Sequence, residues 1–167
     1  MTELADLERR LRRIEDERAI ERMIASYGPL VDAGEADATA QLWAEDGSYD
    51  VEGWYMGNRE EVAAMVRSDA HQGLIRRGCC HFLGPAVVTV DGDEAVAVCD
   101  SLLVTRHDDG FVVSRAGANH FRLLRSDGRW VIAERRNRQL DGGAEARELL
   151  AEGVSGAAPR SPRATAE

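Results

Sequence analysis

The hydrophobic pattern of the chain changes from a helical repeat to an alternating one near residue 79, and this change limits the possible folds more than any other feature. Before it, apolar residues recur at the spacing of amphipathic helices. After it, apolar and polar residues alternate in the manner of half-buried strands. Helices followed by a long run of strands are typical of an α+β domain, in which the helices pack on one face of a strongly curved antiparallel sheet.

The part of the chain before residue 79 predicts helices and one short strand. The first helical region forms one helix or two in tandem, and Gly28-Pro29 should kink or end it because proline lacks a backbone N–H. Asn58 and Glu61 have the spacing of a capping box, which predicts a helix start there. The predicted segments are helices at Leu4–Val31, Ala36–Ala44 and Asn58–Ser68 and a strand at Ser48–Val51.

The part of the chain after residue 79 predicts long strands that are separated by short turns of Asp, Gly and Ser. Turns this short force neighbouring strands to run antiparallel. Gly84-Pro85 removes a hydrogen-bond donor from the first strand, so we expect a bulge or a sheet edge there. A sheet that curves around helices leaves a pocket on its concave side. The predicted strands are Cys80–Val90, Glu94–Arg106, Phe111–Arg125 and Arg129–Arg138.

The length of 167 residues suits a single domain that buries a core without disulfides or metal. We expect this domain to cover residues 1–152. Residues 153–167 are small and polar and contain prolines, which predicts a disordered tail. The N-terminus lacks a secretory signal, and no apolar run approaches the roughly 18 residues that span a bilayer. The sequence therefore predicts a cytoplasmic protein without a membrane partner.

The charged residues and the cysteines exclude several functions. All 21 basic residues are arginine, so Schiff-base chemistry, pyridoxal phosphate attachment and a P-loop lysine are ruled out. The net charge of −9 argues against nucleic acid as a partner. Cys79, Cys80 and Cys99 fit neither a zinc motif nor a disulfide framework. We therefore expect no metal and no cofactor.

Several polar residues stand where the pattern predicts a pocket. His81 lies among apolar residues, either as a base or as a structural histidine. Asp32 ends the first helical region, where a carboxylate is unfavourable to the helix dipole, so it is either functional or a solvated loop residue. Asn119 and His120 are strand neighbours, so at most one of them faces the pocket. Asp100 interrupts an apolar strand and is either a catalytic acid or part of an ion pair.

The remaining histidines and the last strand complete the set of candidates. His71 should lie in a loop and His107 beside a turn, so we expect neither to be catalytic. Alternation along the last strand predicts that Arg135 and Asn137 face the pocket. Because a guanidinium stays protonated in proteins, Arg135 should pair with Asp100 or bind an anionic or carbonyl group of a substrate.

Six short motifs follow one another along the chain: an AIxxxIxxYxxxxD stretch at 19–32, WAEDG at 43–47, CHFLG at 80–84, VDGD at 90–93, NHF at 119–121 and DGRW at 127–130. In order and spacing, these motifs resemble the SnoaL-like branch of the nuclear transport factor 2-like superfamily, which includes dehydratases and a dehydrochlorinase. The resemblance runs from about Ala19 to Gly142. It implies a cone-shaped, antiparallel or mixed sheet that wraps around the N-terminal helices and encloses a pocket. It also implies a homodimer or homotrimer.

The resemblance also implies roles for individual residues. Asp32 and His81 correspond to a pair in which the carboxylate orients the imidazole and the imidazole abstracts a proton. Tyr27 corresponds to a tyrosine that assists a leaving hydroxyl or polarises a carbonyl. Val104 stands where one relative has a carboxylate on the corresponding strand. Asp100 lies four residues earlier on the same strand, so it is expected on the same face as Val104. Asn119 and Arg135 correspond to substrate-binding or cavity residues of relatives. The full set of expected substrate-binding residues is Asn119, Arg135, Asp100, Tyr49 and Val104.

These residues suit proton abstraction next to a carbonyl or another electron sink. The expected function is that of a cofactor-independent lyase of the dehydratase type, or of an isomerase. An apolar wall favours a hydrophobic cyclic substrate such as a steroid, terpenoid or polyketide. A noncatalytic small-molecule binding or accessory protein on the same fold is the alternative, and epoxide hydrolysis is a third. The expected wall consists of Val51, Phe82, Val98, Leu102 and Val104.

Overall fold

The fold combines helices with one mixed sheet, as the α+β prediction requires. A computed structural model gives the structure of the protein and describes residues 3–158. Three of the helices are those predicted from the sequence, within a few residues at their ends. The helices are α1 (Glu3–Ala33), α2 (Ala36–Ala40), α3 (Arg59–Arg67), α4 (Asp69–Arg77) and α5 (Ala144–Val154).

One curved sheet contains all strands of the described residues, in the order β2-β1-β7-β6-β5-β3, and β4 also pairs with β5. The first strand runs parallel to β7 and every other pairing is antiparallel, so the sheet is mixed and does not close into a barrel. The strands are β1 (Trp43–Val51), β2 (Trp54–Met56), β3 (Cys79–Leu83), β4 (Val87–Asp91), β5 (Glu94–His107), β6 (Gly110–Ser126) and β7 (Arg129–Gln139).

The first helix differs from its prediction near its end, because it runs through Pro29 to Ala33. Proline costs a helix one hydrogen bond, but burial of the flanking Gly28 and Val31 against the sheet compensates for the loss. A Cβ on Gly28 would overlap the backbone carbonyl of His81, so glycine allows β3 to lie directly on the helix. As a result, α1 carries Asp32 up to the sheet instead of ending before it.

Two helices were missed from the sequence, and one predicted strand is divided. A loop was predicted where α4 lies, but Ser68 caps this helix by accepting a hydrogen bond from the backbone N–H of His71. The strand predicted at Cys80–Val90 is interrupted at Gly84-Pro85, where a bulge or an edge was expected, and forms β3 and β4. The last helix, α5, was not predicted at all.

The position of α5 explains why β5 is apolar on both faces. The inner face of β5 joins the core through Ala97 and Cys99, while Val98 on the outer face packs against Gly153 of α5. His120 also lies under this helix, and its Nε2 donates a hydrogen bond to the carbonyl of Ala157 at 2.9 Å. The helix thus passes position 153, where the disordered tail was expected to begin. Residues 159–167 of that predicted tail lie outside the described residues.

The core lies between the concave face of the sheet and the C-terminal half of α1, which contributes Ile20, Ile24 and Val31. The helix is fixed to the sheet at Asp16, which accepts hydrogen bonds from Arg125 at 2.8 Å and from the indole of Trp130 at 3.0 Å. Before Asp16 the helix projects from the body of the protein. Within residues 3–158, no helix is long and apolar enough to cross a membrane.

Candidate active site

Asp32 and His81 form the centre of the candidate site, where the end of α1 meets β3. The imidazole Nδ1 of His81 donates to Oδ1 of Asp32 at 2.6 Å, and the backbone N–H of His81 donates to Oδ2 at 2.8 Å. Both side chains are largely buried, at 14% exposure for His81 and 22% for Asp32. Because the carboxylate holds both the ring and the backbone of His81, the orientation of the imidazole is fixed.

The carboxyl group of Asp32 is ionised under ordinary conditions. Burial acts to raise its pKa, but the hydrogen bonds from the His81 ring and backbone outweigh burial and hold the pKa below its usual value. A negative charge beside Nδ1 keeps the proton on that nitrogen. The other nitrogen, Nε2, makes no hydrogen bond with any residue in the described part of the chain.

Cys79 is a third member of this cluster and was not predicted from the sequence. Its thiol donates to Oδ1 of Asp32 at 3.4 Å, and burial followed by the nearby carboxylate raises the pKa of Cys79 to about 12. Ligand atoms of Asp32, Cys79 and His81 lie within 4.8 Å of one another, as in a metal site. A thiol with so high a pKa keeps its proton and acts as a hydrogen-bond donor to the carboxylate.

His71 also lies beside His81, although the sequence placed it in a loop. The two imidazole rings are 5.6 Å apart between centroids and tilted by 33°. His71 is buried, and its Nε2 lies 2.9 Å from the backbone carbonyl of Val31. The sequence feature that could have predicted the position of His71 is Ser68, which caps α4, the helix that turns His71 inward.

Arg135 provides a buried positive charge on the opposite wall of the site. Its guanidinium stacks on the rings of Tyr27 and Tyr49, at 4.1 Å and 4.5 Å from their centroids. Its Nε and Nη2 donate to Oδ1 of Asn119 at 3.1 Å and 2.7 Å, and Asn137 donates to the same oxygen at 2.9 Å. Arg135 and Asn137 thus share a face with Asn119, as alternation predicted.

Two polar atoms on this wall lack a protein partner. Among the described residues, neither Nη1 of Arg135 nor Oδ1 of Asn137 forms a hydrogen bond, although both atoms are buried. Arg135 forms no ion pair with a described carboxylate either. Since unpaired buried polar groups are costly, a donor and an acceptor remain for a ligand or an ordered water.

Tyr27 links the two walls, because its ring lies edge-on to those of both His81 and Tyr49. Burial, followed by the nearby Tyr49, raises the pKa of Tyr27 well above its ordinary value, and Arg135 only partly opposes this. The phenol of Tyr27 is therefore neutral and can donate a hydrogen bond.

These residues surround a small, partly enclosed cavity with a volume of about 10 Å³, which is room for about one water molecule. Its lining combines aromatic and apolar side chains with the unpaired polar groups described above. Natural sites for drug-sized ligands span roughly 300–1,000 Å³, so this cavity falls below that range. The lining residues are Tyr27, Tyr49, His81, Phe82, Leu83, Ser101, Leu102, Leu103, Arg115, Arg135 and Asn137.

Asp100 and Val104 are not brought to the cavity, contrary to the prediction. Cys99 pairs with Asn119 and faces inward, so its neighbour Asp100 points to the outer face, where it is exposed. Asp100 therefore forms no ion pair with Arg135. Val104 follows a register irregularity between β5 and β6 and does not line the cavity. The expected apolar wall is wrong at Val98 as well, since that residue packs under α5.

Comparison with known proteins places the chain in a family. Residues 12–136 match the SnoaL-like domain. A comparison with curated proteins gives no significant match. Among solved structures, an NTF2-like protein with a cystatin-like fold from Novosphingobium aromaticivorans has 43% sequence identity and a TM-score of 0.87, and the match covers 90% of this chain and 98% of that protein.

Two more distant structures from the same organism share the fold. A candidate scytalone dehydratase has 20% identity and a TM-score of 0.64, over 76% of this chain and 85% of its own. The β subunit of a candidate aromatic-ring-hydroxylating dioxygenase has 22% identity and a TM-score of 0.62, over 77% and 91%. The fold is thus NTF2-like and cystatin-like, and the chain belongs to the family of SnoaL-like domains.

Proposed function

We propose that the protein is a cofactor-independent lyase of the dehydratase type, or an isomerase, in which His81 removes a proton from a hydrophobic cyclic molecule. The observation that carries this proposal is the short hydrogen bond from Nδ1 of His81 to Asp32, beside a partly enclosed cavity. A proton held on Nδ1 leaves Nε2 as the basic nitrogen. Asp32 then stabilises the imidazolium that forms when Nε2 takes up a proton.

Arg135 and Tyr27 supply the complementary electrophilic groups. The free Nη1 of Arg135 can donate to a substrate carbonyl, and its charge stabilises the oxyanion that develops when the adjacent C–H bond breaks. The free Oδ1 of Asn137 can accept a hydrogen bond from a substrate hydroxyl. The neutral phenol of Tyr27 lies between the two walls and can donate to the same substrate oxygen.

The reaction balances without an external reagent. The C–H bond next to the carbonyl breaks, the proton moves to Nε2 of His81, and the electron pair forms an enolate whose oxygen faces Arg135. In a dehydratase, the enolate reforms the carbonyl as the C–O bond at the next carbon breaks, and the imidazolium protonates the leaving hydroxide to give water. In an isomerase, the imidazolium returns the proton to a different carbon.

The lining of the cavity favours a hydrophobic cyclic substrate. The unpaired Nη1 of Arg135 and Oδ1 of Asn137 lie among aromatic and apolar side chains. The cavity has room for only about 10 Å³ of water, so side chains at its mouth must move before a ring can enter. We therefore infer a β-hydroxy ketone or acid of the steroid, terpenoid or polyketide kind. We expect the protein to act on it in the cytoplasm, with no nucleic acid or membrane partner.

A noncatalytic binding protein is the second candidate, and the same cavity favours it. A small space with one unpaired donor and one unpaired acceptor can hold a carbonyl compound without converting it. In that case His81 would only donate or accept a hydrogen bond.

Proton exchange distinguishes the two functions. The protein is incubated in D₂O with a panel of cyclic β-hydroxy ketones and acids, and NMR follows the α-proton signal and any unsaturated product. We expect exchange or elimination with at least one compound, reduced by about 10² or more in His81→Ala. His107→Ala is the matched control, because His107 is exposed and does not line the cavity. Compounds that raise the melting temperature without exchanging protons would support the binding protein instead.

A further inference from the structure

The projecting part of α1 carries an apolar stripe that nothing in the described structure covers. Leu4, Leu7, Leu11 and Ile14 are between 52% and 66% exposed. Residues 3–15 project about 20 Å beyond the anchor at Asp16. Single exposed leucines are common on protein surfaces, but four in one line on a projecting helix form a contiguous patch.

This stripe lies on the face of α1 that points away from the body of the protein. With about 100° between successive residues, the four stripe residues fall on one side of the helix, and the buried Ile20, Ile24 and Tyr27 fall on the opposite side. An open groove lined by Ile14, Ala25 and Leu42 continues along α1 from the end of the stripe. A partner can therefore approach the stripe without meeting the sheet.

The spacing of the stripe is that of a two-stranded coiled coil. The steps from Leu4 to Leu7, Leu11 and Ile14 are three, four and three residues, so the four positions are a, d, a and d of successive heptads. The next position in this line is Arg18, where the apolar seam ends. A heptad seam is covered best by another helix with the same pattern.

The charges beside the stripe favour a second copy of the chain in parallel orientation. In a parallel pair each g residue faces the e residue five positions later in the partner, which within the seam joins Arg10 to Glu15. Glu3 and Glu8 are the one pair of like charges that this arrangement brings together within the seam. In an antiparallel pair, Arg10 would face Arg10 of the second copy and Glu8 would face Glu8.

We propose that two copies of the chain associate through this stripe, with their α1 helices parallel and related by a two-fold axis. The seam is isologous, since each of Leu4, Leu7, Leu11 and Ile14 meets its own counterpart. The projecting helix does not need to fold on association, because it continues from the buried half of α1. This inference is independent of the proposed function.

Replacing the centre of the stripe tests the proposal. The mass of the full chain is measured by light scattering and analytical ultracentrifugation over a wide range of protein concentration. We expect a dimer for the natural chain and, for Leu7→Glu with Leu11→Glu, a dissociation constant at least tenfold higher with an unchanged circular dichroism spectrum. The matched control is Phe111→Glu, an equally exposed apolar residue on the sheet. A monomeric natural chain, or loss of assembly in the control but not in the stripe variant, would overturn the proposal.

A charge exchange tests the orientation. Arg10→Glu should weaken the dimer severalfold, because it introduces a second carboxylate opposite Glu15 of the other copy. Combining it with Glu15→Arg should restore the dimer, because the two charges are reversed but again opposite in sign. No recovery in the double variant would contradict the parallel arrangement.

Discussion

Gly28 of α1 lies directly against the backbone carbonyl of His81 in β3, with no side chain between the helix and the strand. Asp32 lies one turn further along the same helix and holds the ring and the backbone of His81. The separation of helix and strand at Gly28 therefore sets the geometry of the Asp32–His81 pair.

Gly28→Ala is expected to destabilise the protein and misalign this pair. The added methyl group overlaps the carbonyl of His81 and must push β3 away from α1, which costs about 1–3 kcal/mol for an overpacked core. Chemical denaturation measures the loss of stability, and the D₂O exchange assay measures the loss of activity. Gly73→Ala in α4 is the control, since a Cβ there meets only the far ends of arginine side chains. Equal stability of the two variants would show that the contact at Gly28 can relax.

Asp32→Asn is expected to lower activity by about 10² or more while the fold is retained, because an amide cannot stabilise the imidazolium. It also changes the dependence of stability on pH. The folded-state pKa of Asp32 lies below its ordinary value of 3.8, so its ionised form stabilises the protein above that pH. This contribution is lost as the pH falls through the folded-state pKa. Urea titrations at several pH values should show the loss in the natural protein and not in the variant.

Arg135→Met is expected to abolish activity at little cost in stability. Among the described residues, no carboxylate is left unpaired by this change, and Asn119 keeps the hydrogen bond from Asn137. Replacing a buried charge by an apolar side chain of similar size costs less than about 1.5 kcal/mol or is even stabilising. Melting temperature and proton exchange measure the two effects. A loss of several kcal/mol would instead assign Arg135 a structural role.

His120 should make the protein less stable in mild acid. Burial under α5 lowers the pKa of His120, mainly because a charged imidazole is poorly solvated there. The unfolded chain therefore binds a proton more readily than the folded protein. The stabilisation is complete above about pH 6.5, the ordinary histidine pKa, and is lost as the pH falls from there through the lower folded-state value. The free energies of unfolding at pH 7.5 and pH 5 should lie closer together in His120→Gln than in the natural protein. An unchanged difference between the two pH values would exclude His120 as the cause.

The inner face of the sheet follows the sequence pattern more closely than the outer face does. Asp32 and His81 come together as the family resemblance implied. Asp100 was misplaced because α5 covers the outer face of β5, so both faces of that strand are apolar and the alternation that reveals orientation is lost. A helix as small and alanine-rich as α5 leaves little periodic signal in the sequence.

The irregularities in strand pairing could not be predicted either. Leu123 pairs with Ile132 and Arg122 with Glu134, so Ala133 is an extra residue in β7. Such a bulge changes which residues face the core, and its position depends on contacts between strands that are distant in the sequence. The contacts of Cys79 and His71 with the Asp32–His81 pair likewise depend on packing between α1, α4 and β3.

The hydrogen bond from the backbone of His81 to Asp32 also occupies a donor on an outer strand of the sheet. Strand β3 lies at the end of the sheet order, and such strands offer unpaired N–H groups to strands of other molecules. At His81 this N–H already donates to the carboxylate, and α1 lies along the strand. Asp32 therefore takes the place that a neighbouring strand would occupy. A substitution that removes this carboxylate leaves the N–H of His81 as an unpaired donor at the edge of the sheet, the kind of group with which strands of other molecules pair.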